Sequence, residues 1–298
     1  MRIAVTGASG LVGRALVPYL RAAGHEVWRL QREAPAEAHD VLWPSADADF
    51  RFDPALRWDA VVHLAGEPVA QRRWTDARKS RIAESRGALT QRLVRALAAM
   101  PEPPRVLVCA SAVGIYGDGG EAELTEASGT GSGFLADVCR DWEAAAAGAR
   151  DASMRVVMLR IGVVLCVEGG MLAELLPIFR AGLGGPVGGG RQWLSWIHRD
   201  DLLGLIARCL TDAAFAGPVN AVAPHPVRQA EFARALGRAL HRPAVVPTPA
   251  FALRLALGQM AQEVLLFGQR VRPAVAEHSG FAWRYPTLDA ALLAELPG

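Results

Sequence analysis

Val5-Thr6-Gly7-Ala8-Ser9-Gly10-Leu11-Val12-Gly13 decides the fold of this chain. Met1 to Val5 alternates and is partly β-branched, the pattern of a buried strand, while Arg14 to Ala23 carries Leu16, Val17 and Leu20 at helical spacing. Three glycines therefore stand at a strand-to-helix turn. There Gly7 permits the tight bend, Gly10 lets backbone N–H groups approach a phosphate, and Gly13 lets the helix pack close to the sheet. The positive end of the helix dipole then faces the anion. The motif predicts that Thr6, Gly7, Ser9, Gly10, Leu11, Val12 and Gly13 hold a dinucleotide pyrophosphate; a glycine-rich turn without ligand is the plainer alternative.

Working outward, His25 to Leu30 reads as a second strand that ends in Gln31-Arg32. A carboxylate at this point would bind the ribose 2′-OH of NAD, whereas an arginine accommodates the 2′-phosphate of NADP. Gln31 takes the place of the acid, so Arg32 favours NADP(H), against the reading of an exposed arginine after a sheet edge. Short strands are expected near Val41 and at Phe50 to Phe52, with Asp53 within reach of the adenine. Ala60-Val61-Val62-His63-Leu64-Ala65-Gly66 is a continuous apolar run closed by small residues, as a central parallel strand reads. Ligands in such sheets bind beyond the carboxyl ends of the strands, which places Leu64, Ala65, Gly66 and Glu67 along the cleft. Glu67 reads as a general base or as a surface carboxylate. Residues 76 to 100 are expected to form one long helix.

Composition narrows the alternatives. The 298 residues carry 32 basic and 30 acidic side chains and are 51% hydrophobic, enough for a sizeable core and without a polyanion-binding surface. Lys79 is the single lysine, and the arginines are scattered. Cys109, Cys139, Cys166 and Cys209 form no CxxC pair and read as reduced core thiols. No signal peptide, no apolar run of about 18 residues and no metal-ligand spacing is seen. A soluble, cytoplasmic protein without metal, nucleic-acid or membrane partners is expected, its oligomeric state open.

The strand Arg105 to Ser111 runs into Ala112-Val113-Gly114-Ile115-Tyr116-Gly117-Asp118. Together with Thr6 and the G-x-x-G-x-x-G spacing, this resembles the extended short-chain dehydrogenase/reductase signature, in which a serine-rich strand end leads to Val-Tyr-Gly. The resemblance implies a catalytic Ser or Thr at the place of Ala112, with Ser111 beside it, and a Tyr-x-x-x-Lys pair further on. That segment here reads Phe134-Leu135-Ala136-Asp137-Val138, so phenol and ammonium are both missing. His63 to Pro68, Ser111 to Gly117 and Arg191 to His198 are similar to an atypical "epimerase family" subgroup that ends in a small domain of unknown function. For that group the resemblance implies NADP(H) binding and no defined reaction. Arg160-Ile161-Gly162-Val163-Val164 resembles the run beneath the nicotinamide in extended members, which adds Ser111, Arg160 and Gly162 to the cofactor set.

Residues 168 to 190 hold a helix and then a connection with six glycines, which reads as a mobile cover leading into Arg191, Trp193 and Trp196. Two aromatics and a guanidinium suit a flat or anionic ligand; both tryptophans also read as packing residues. Asp200 or Asp201 is expected to cap the helix from Leu202. Beyond Pro224 strands give way to helices. The chain thus reads as a doubly wound parallel (Rossmann) α/β sheet over residues 1–223, with 168–198 on the substrate side, and a smaller, mainly helical domain over 224–298. The implied function is an NADP(H)-dependent oxidoreductase or epimerase-like enzyme on a small molecule, with Glu67, Tyr116 and Asp118 as the groups left for catalysis. The competing reading is an NADP(H)-sensing protein that performs no chemistry.

Overall fold

Apolar residues on both faces of consecutive strands leave a sheet no choice but to be covered on both sides. The computed structural model, which describes residues 1–32, 34–44 and 50–296, shows how. The first half runs β1 (Arg2–Thr6), α1 (Leu11–Ala22), β2 (Glu26–Gln31), β3 (Asp40–Leu42), β4 (Ala60–His63), α2 (Asp76–Glu84), α3 (Gly87–Ala98), β5 (Val106–Ala112), β6 (Glu123–Leu124) and α4 (Phe134–Ala147). It continues through β7 (Arg155–Ile161), β8 (Val163–Leu165), α5 (Gly170–Arg180), β9 (Trp193–Leu194), β10 (Trp196–His198), α6 (Arg199–Thr211) and β11 (Gly217–Ala221). The last part holds β12 (Val227–Arg228), α7 (Gln229–Ala239), α8 (Ala250–Leu257), a π-helical turn (Ala261–Leu266), β13 (Arg270–Val271), α9 (Ala274–His278) and α10 (Leu288–Glu295).

Seven strands form one parallel sheet in the order β11-β7-β5-β4-β1-β2-β3. Alternate residues feed two layers. Ile3, Val5, Val62, Val108 and Val157 meet Leu16 and Leu20 of α1 and Leu202 and Ile206 of α6, whereas Ala4, Val61, Leu107 and Val156 meet Leu93 and Leu97 of α3 and Trp142 of α4. From β1 the chain winds outward through β2 and β3, and from β4 the opposite way, so strand order reverses between β1 and β4. Ligands bind at such a switch point, beyond the carboxyl ends.

A third cluster joins α5, β8 and Trp196 to Phe232 and Leu236 of α7 and Leu288 and Leu292 of α10. The chain beyond residue 224 is not confined to that cluster. Ala276 of α9 with Phe281 and Trp283 packs on the sheet layer under α1 and α6, and β13 pairs with β6. Asp201, which the sequence suggested as a helix cap, instead accepts the N–H groups of Arg284 (2.7 Å) and Tyr285 (3.0 Å); burial raises its pKa. The α6 cap is His198, whose Nδ1 accepts from Asp200 N at 3.1 Å.

Three further expectations are corrected. The helix expected over 76–100 is two helices, broken at Ser85-Arg86, because the Ser85 hydroxyl both donates to Ile82 O and accepts the Glu67 N–H at 2.9 Å. Phe50 to Phe52 forms no strand; Phe52 is buried edge-on against Trp58. The glycine-rich connection is stitched down rather than free. Gly188 N donates to Thr248 O, Val246 N to Gly184 O and Val187 N to Gln229 Oε1. A Cβ on Gly185 would lie 2.1 Å from Val246 O, so its glycines serve close approach.

Candidate functional site

At the switch point the backbone itself shapes a cradle. Gly7 has φ +68°, and a Cβ there would lie 2.8 Å from Leu64 C and Ala65 N; one on Gly13 would lie 2.2 Å from Gly7 O. Only glycine lets α1 start this close to β1 and to the end of β4. Gly10 is the α1 N-cap, gives no side-chain cap, and the first turn carries no acid, so the N–H groups and the positive dipole end are left for an outside anion. A dinucleotide pyrophosphate fits that cradle. Ser9 is exposed beside it, and Leu11 lies against Gly169 and Gly170. Arg32 is exposed one residue beyond β2, next to Glu33, which lies outside the described residues.

Thr6 acts from beneath rather than on a ligand. Fully buried, its Oγ1 accepts the N–H groups of Leu64 and Ala65, both at 3.2 Å, and lies 2.7 Å from His63 Nδ1. The Thr6 hydroxyl then donates to Nδ1, which puts the single N–H of the neutral ring on Nε2, donating to Thr90 Oγ1 at 2.9 Å. Burial, helped by the Arg86 charge, pushes the His63 pKa down to about 3, so the ring is a neutral strut.

Beyond β4, the Arg86 guanidinium lies against Gly66, where a Cβ would sit 3.2 Å from its Cζ, and over the Trp142 ring at 4.9 Å. Burial lowers its pKa. Glu67 is 34% exposed in its side chain, with Oε1 3.5 Å from Arg78 Nη1, while Arg78 Nη2 donates to Pro68 O at 2.6 Å.

The residues around β5 and β7 are spent on one another. Ser111 Oγ donates to Glu143 Oε1 (2.8 Å), Arg160 makes two bonds of 2.9 Å to the same carboxylate and a third to the Tyr116 hydroxyl, and that hydroxyl donates to Asn220 Oδ1 at 2.8 Å. Burial works against the Arg160 charge, but the bonds to Glu143 and Tyr116 outweigh it and raise its pKa. Burial also raises the Tyr116 pKa, and the side chain is 3% exposed. Tyr116 is therefore a member of a buried network, not a free acid, and Arg160 and Ser111 hold that network.

The other sequence-derived positions divide. Asp118 is exposed and accepts the Gly268 N–H at 3.2 Å. Asp53 uses Oδ1 to cap its own turn at Ala55 N. Gly162 makes room for Ser195 O and Val222 rather than for a ligand, since its Cβ would lie 2.7 Å from the former. Trp196 is completely buried with Nε1 on His225 O and leaves the ligand-facing set. Trp193 is clasped between Arg228 and Arg270 and donates to Glu121; Arg191 is exposed and offers its carbonyl to Arg228. Sequence reading missed Glu143, Arg86 and Glu263, the last of which accepts the Phe134 and Leu135 N–H groups at the start of α4. Partners 129 and 128 residues apart leave no local signal.

The NAD dependent epimerase/dehydratase family matches residues 3–221, and a domain of unknown function (DUF1731) matches residues 248–295. The chain belongs to the NAD dependent epimerase/dehydratase family. Epimerase family protein Mb2239 of Mycobacterium bovis is 41% identical over 290 residues, 97% of this chain and 96% of the relative. The crystal structure of human epimerase family protein SDR39U1 (isoform 2), solved with NADPH, superposes with a TM-score of 0.91 at 36% identity and full coverage of both chains. A nucleoside-diphosphate sugar epimerase from Corynebacterium glutamicum gives 0.78 at 38% identity, covering 99% of this chain and 58% of that one.

The neutral His63 strut makes the cleft's foundation pH-dependent. Its folded pKa of about 3 lies below the ordinary 6.5, so the unfolded chain binds the extra proton first. Stability from this group is complete above pH 6.5 and is lost as pH falls toward 3, by at most about 1.4 kcal/mol per pH unit. Urea unfolding should show a decline between pH 6.5 and 5 that His63→Gln flattens. Equal slopes in the two proteins would contradict the assignment.

Proposed function

We propose that the chain binds NADP(H) along the carboxyl edge of the sheet and acts as an NADP(H)-dependent oxidoreductase or epimerase-like enzyme on a small molecule, in the cytoplasm, without a Tyr/Lys proton relay. The observation that carries this reading is the uncapped α1 N-terminus over the Gly7–Gly13 cradle. The NADPH in the human relative's structure supports it.

In this reading the α1 N–H groups take the pyrophosphate and Arg32 the 2′-phosphate, while Leu64, Ala65 and Gly66 line the path toward β5. Bound there, the nicotinamide supplies or accepts a hydride. Arg86, pressed on Gly66, adds a positive charge under that path. Tyr116 and Ser111 are held in the network with Glu143, so proton transfer falls to a carboxyl at the same edge. Glu67, steered by Arg78, is the first choice, and Asp118 the second. A silent NADP(H)-sensing protein is the second reading, favoured by one observation: Ser111, Tyr116 and Arg160 bond to one another's partners instead of facing the cleft.

Fluorescence titration tests the cofactor. An arginine–phosphate contact is worth about 1.5–3 kcal/mol, so NADPH should bind about ten- to a hundredfold more tightly than NADH, and Arg32→Ala should bring the two together. Equal affinities in the unaltered protein would contradict the assignment.

A panel of carbonyl compounds tests the chemistry. Any NADPH oxidation found should fall by about 10² to 10⁴ in Glu67→Gln with NADPH affinity unchanged. Undiminished turnover in both Glu67→Gln and Asp118→Asn would remove the catalytic assignment. Tight NADPH binding with no turnover of any panel member would make the sensing reading the better one.

A further inference from the structure

The start of α4 stands beside the turn that leaves β5: Leu135 lies 3.5 Å from the Cβ position of Gly114. On the NADP(H) reading above, this is where the reacting end of the cofactor meets its partner molecule. The walls there are apolar. Trp74 and Met260 are buried, and Phe134, Leu135, Leu257 and Val264 pack against them while keeping part of their surface. Trp74 and Phe134 meet edge to face at 5.1 Å. The apolar surface continues to the rim, because α8 buries none of its residues and exposes Phe251 (73%) and Leu255 (79%) one turn apart, tied to the cleft loop by Arg73 Nη1 on Leu255 O.

Cations border this wall: Arg73, which donates to Leu255 O at the rim, and Lys79 beside Phe134. Lys79, the chain's single lysine, holds its ammonium 5.6 Å from the centre of the Phe134 ring and forms no ion pair among the described residues. The nearby carboxylate of Glu263 is already engaged by Phe134 N, Leu135 N and Gln259. A nucleotide sugar would bring a diphosphate and several hydroxyls, each needing a polar partner, whereas Phe134, Leu135, Leu257 and Val264 offer apolar surface. An apolar body with a single anionic end matches both features: the rings and branched chains cover the body, and the unpaired ammonium meets the charge.

We propose that this cleft takes an amphipathic carboxylate, its aliphatic or aromatic body over the part-exposed faces of Phe134, Leu135, Leu257 and Val264 and its carboxylate on Lys79. The proposal rests on the NADP(H) reading for its place beside the cofactor, and its test separates the two.

NADPH affinity is measured first, by fluorescence. NADPH-saturated protein is then titrated calorimetrically with octanoate, octan-2-one and UDP-glucose. Octanoate should bind about tenfold more tightly than octan-2-one, and UDP-glucose more weakly than either. Lys79→Met should cost octanoate about tenfold and leave octan-2-one within twofold, whereas Phe134→Ser should weaken both. Neither variant should move the NADPH affinity. If circular dichroism shows Phe134→Ser unfolded, Leu257→Gln on the facing wall replaces it. UDP-glucose binding more tightly than octanoate, octanoate binding indifferent to Lys79→Met, or no binding of octanoate overturns the proposal. Should NADPH itself fail to bind, the cofactor reading fails, and the same order of affinities is expected of the cofactor-free protein.

Discussion

Gly13 can lie against the carbonyl of Gly7 only because Gly13 carries no Cβ, just as Gly7 without one admits Leu64 and Ala65, and the carboxyl edge of the sheet is built on those approaches. They bring the first turn of α1 over the end of β1, where its free N–H groups converge. Thr6, one residue earlier, fixes the neighbouring strand end by accepting the N–H groups of Leu64 and Ala65, and His63 and Thr90 fix Thr6 in turn. A neutral imidazole suits that chain, because a charge buried at this depth would need a counterion. The anion cradle is thus held in shape by uncharged hydrogen bonds below and by steric contact above.

Charge is concentrated one strand further on, at the Glu143–Arg160 pair. Removing ions from water is costly, and here the geometry repays it: two bonds of 2.9 Å, with Ser111 and Tyr116 satisfying what remains. The consequence reaches function. A serine and a tyrosine at the end of β5, the residue types associated with proton transfer in related folds, are drawn into the structure of the sheet edge. Half-buried Glu67 and exposed Asp118 stay outside that network.

Much of this is legible in the residues themselves. Unbroken apolar runs such as Ala60 to Val62 declared a parallel sheet, since strands covered on both faces have no polar side to show. The spacing of Gly7, Gly10 and Gly13 declared the cradle because each glycine answers a local backbone requirement. What stayed hidden depends on partners far away in sequence. Ser85 ends α2 with its hydroxyl accepting a hydrogen bond from the Glu67 backbone N–H, and Glu143 earns its place through Ser111 and Arg160; neither choice leaves a local trace. Trp193 and Trp196 look alike in sequence, yet one is clasped by two arginines at the surface and the other is core. The glycines between 182 and 190 misled for a related reason: glycine serves close packing as readily as motion, and only Phe179 and Val246 pressing on them shows which.

The central claim is that this cradle and the adjoining end of β4 are where NADP(H) binds. Hydrogen–deuterium exchange of the protein with and without saturating NADPH tests it most directly. Protection is predicted in peptides covering residues 5–14 and 63–68, where the N–H groups above Gly7 and the Thr6-held turn lie. Unchanged exchange in both segments, with protection elsewhere, would contradict it.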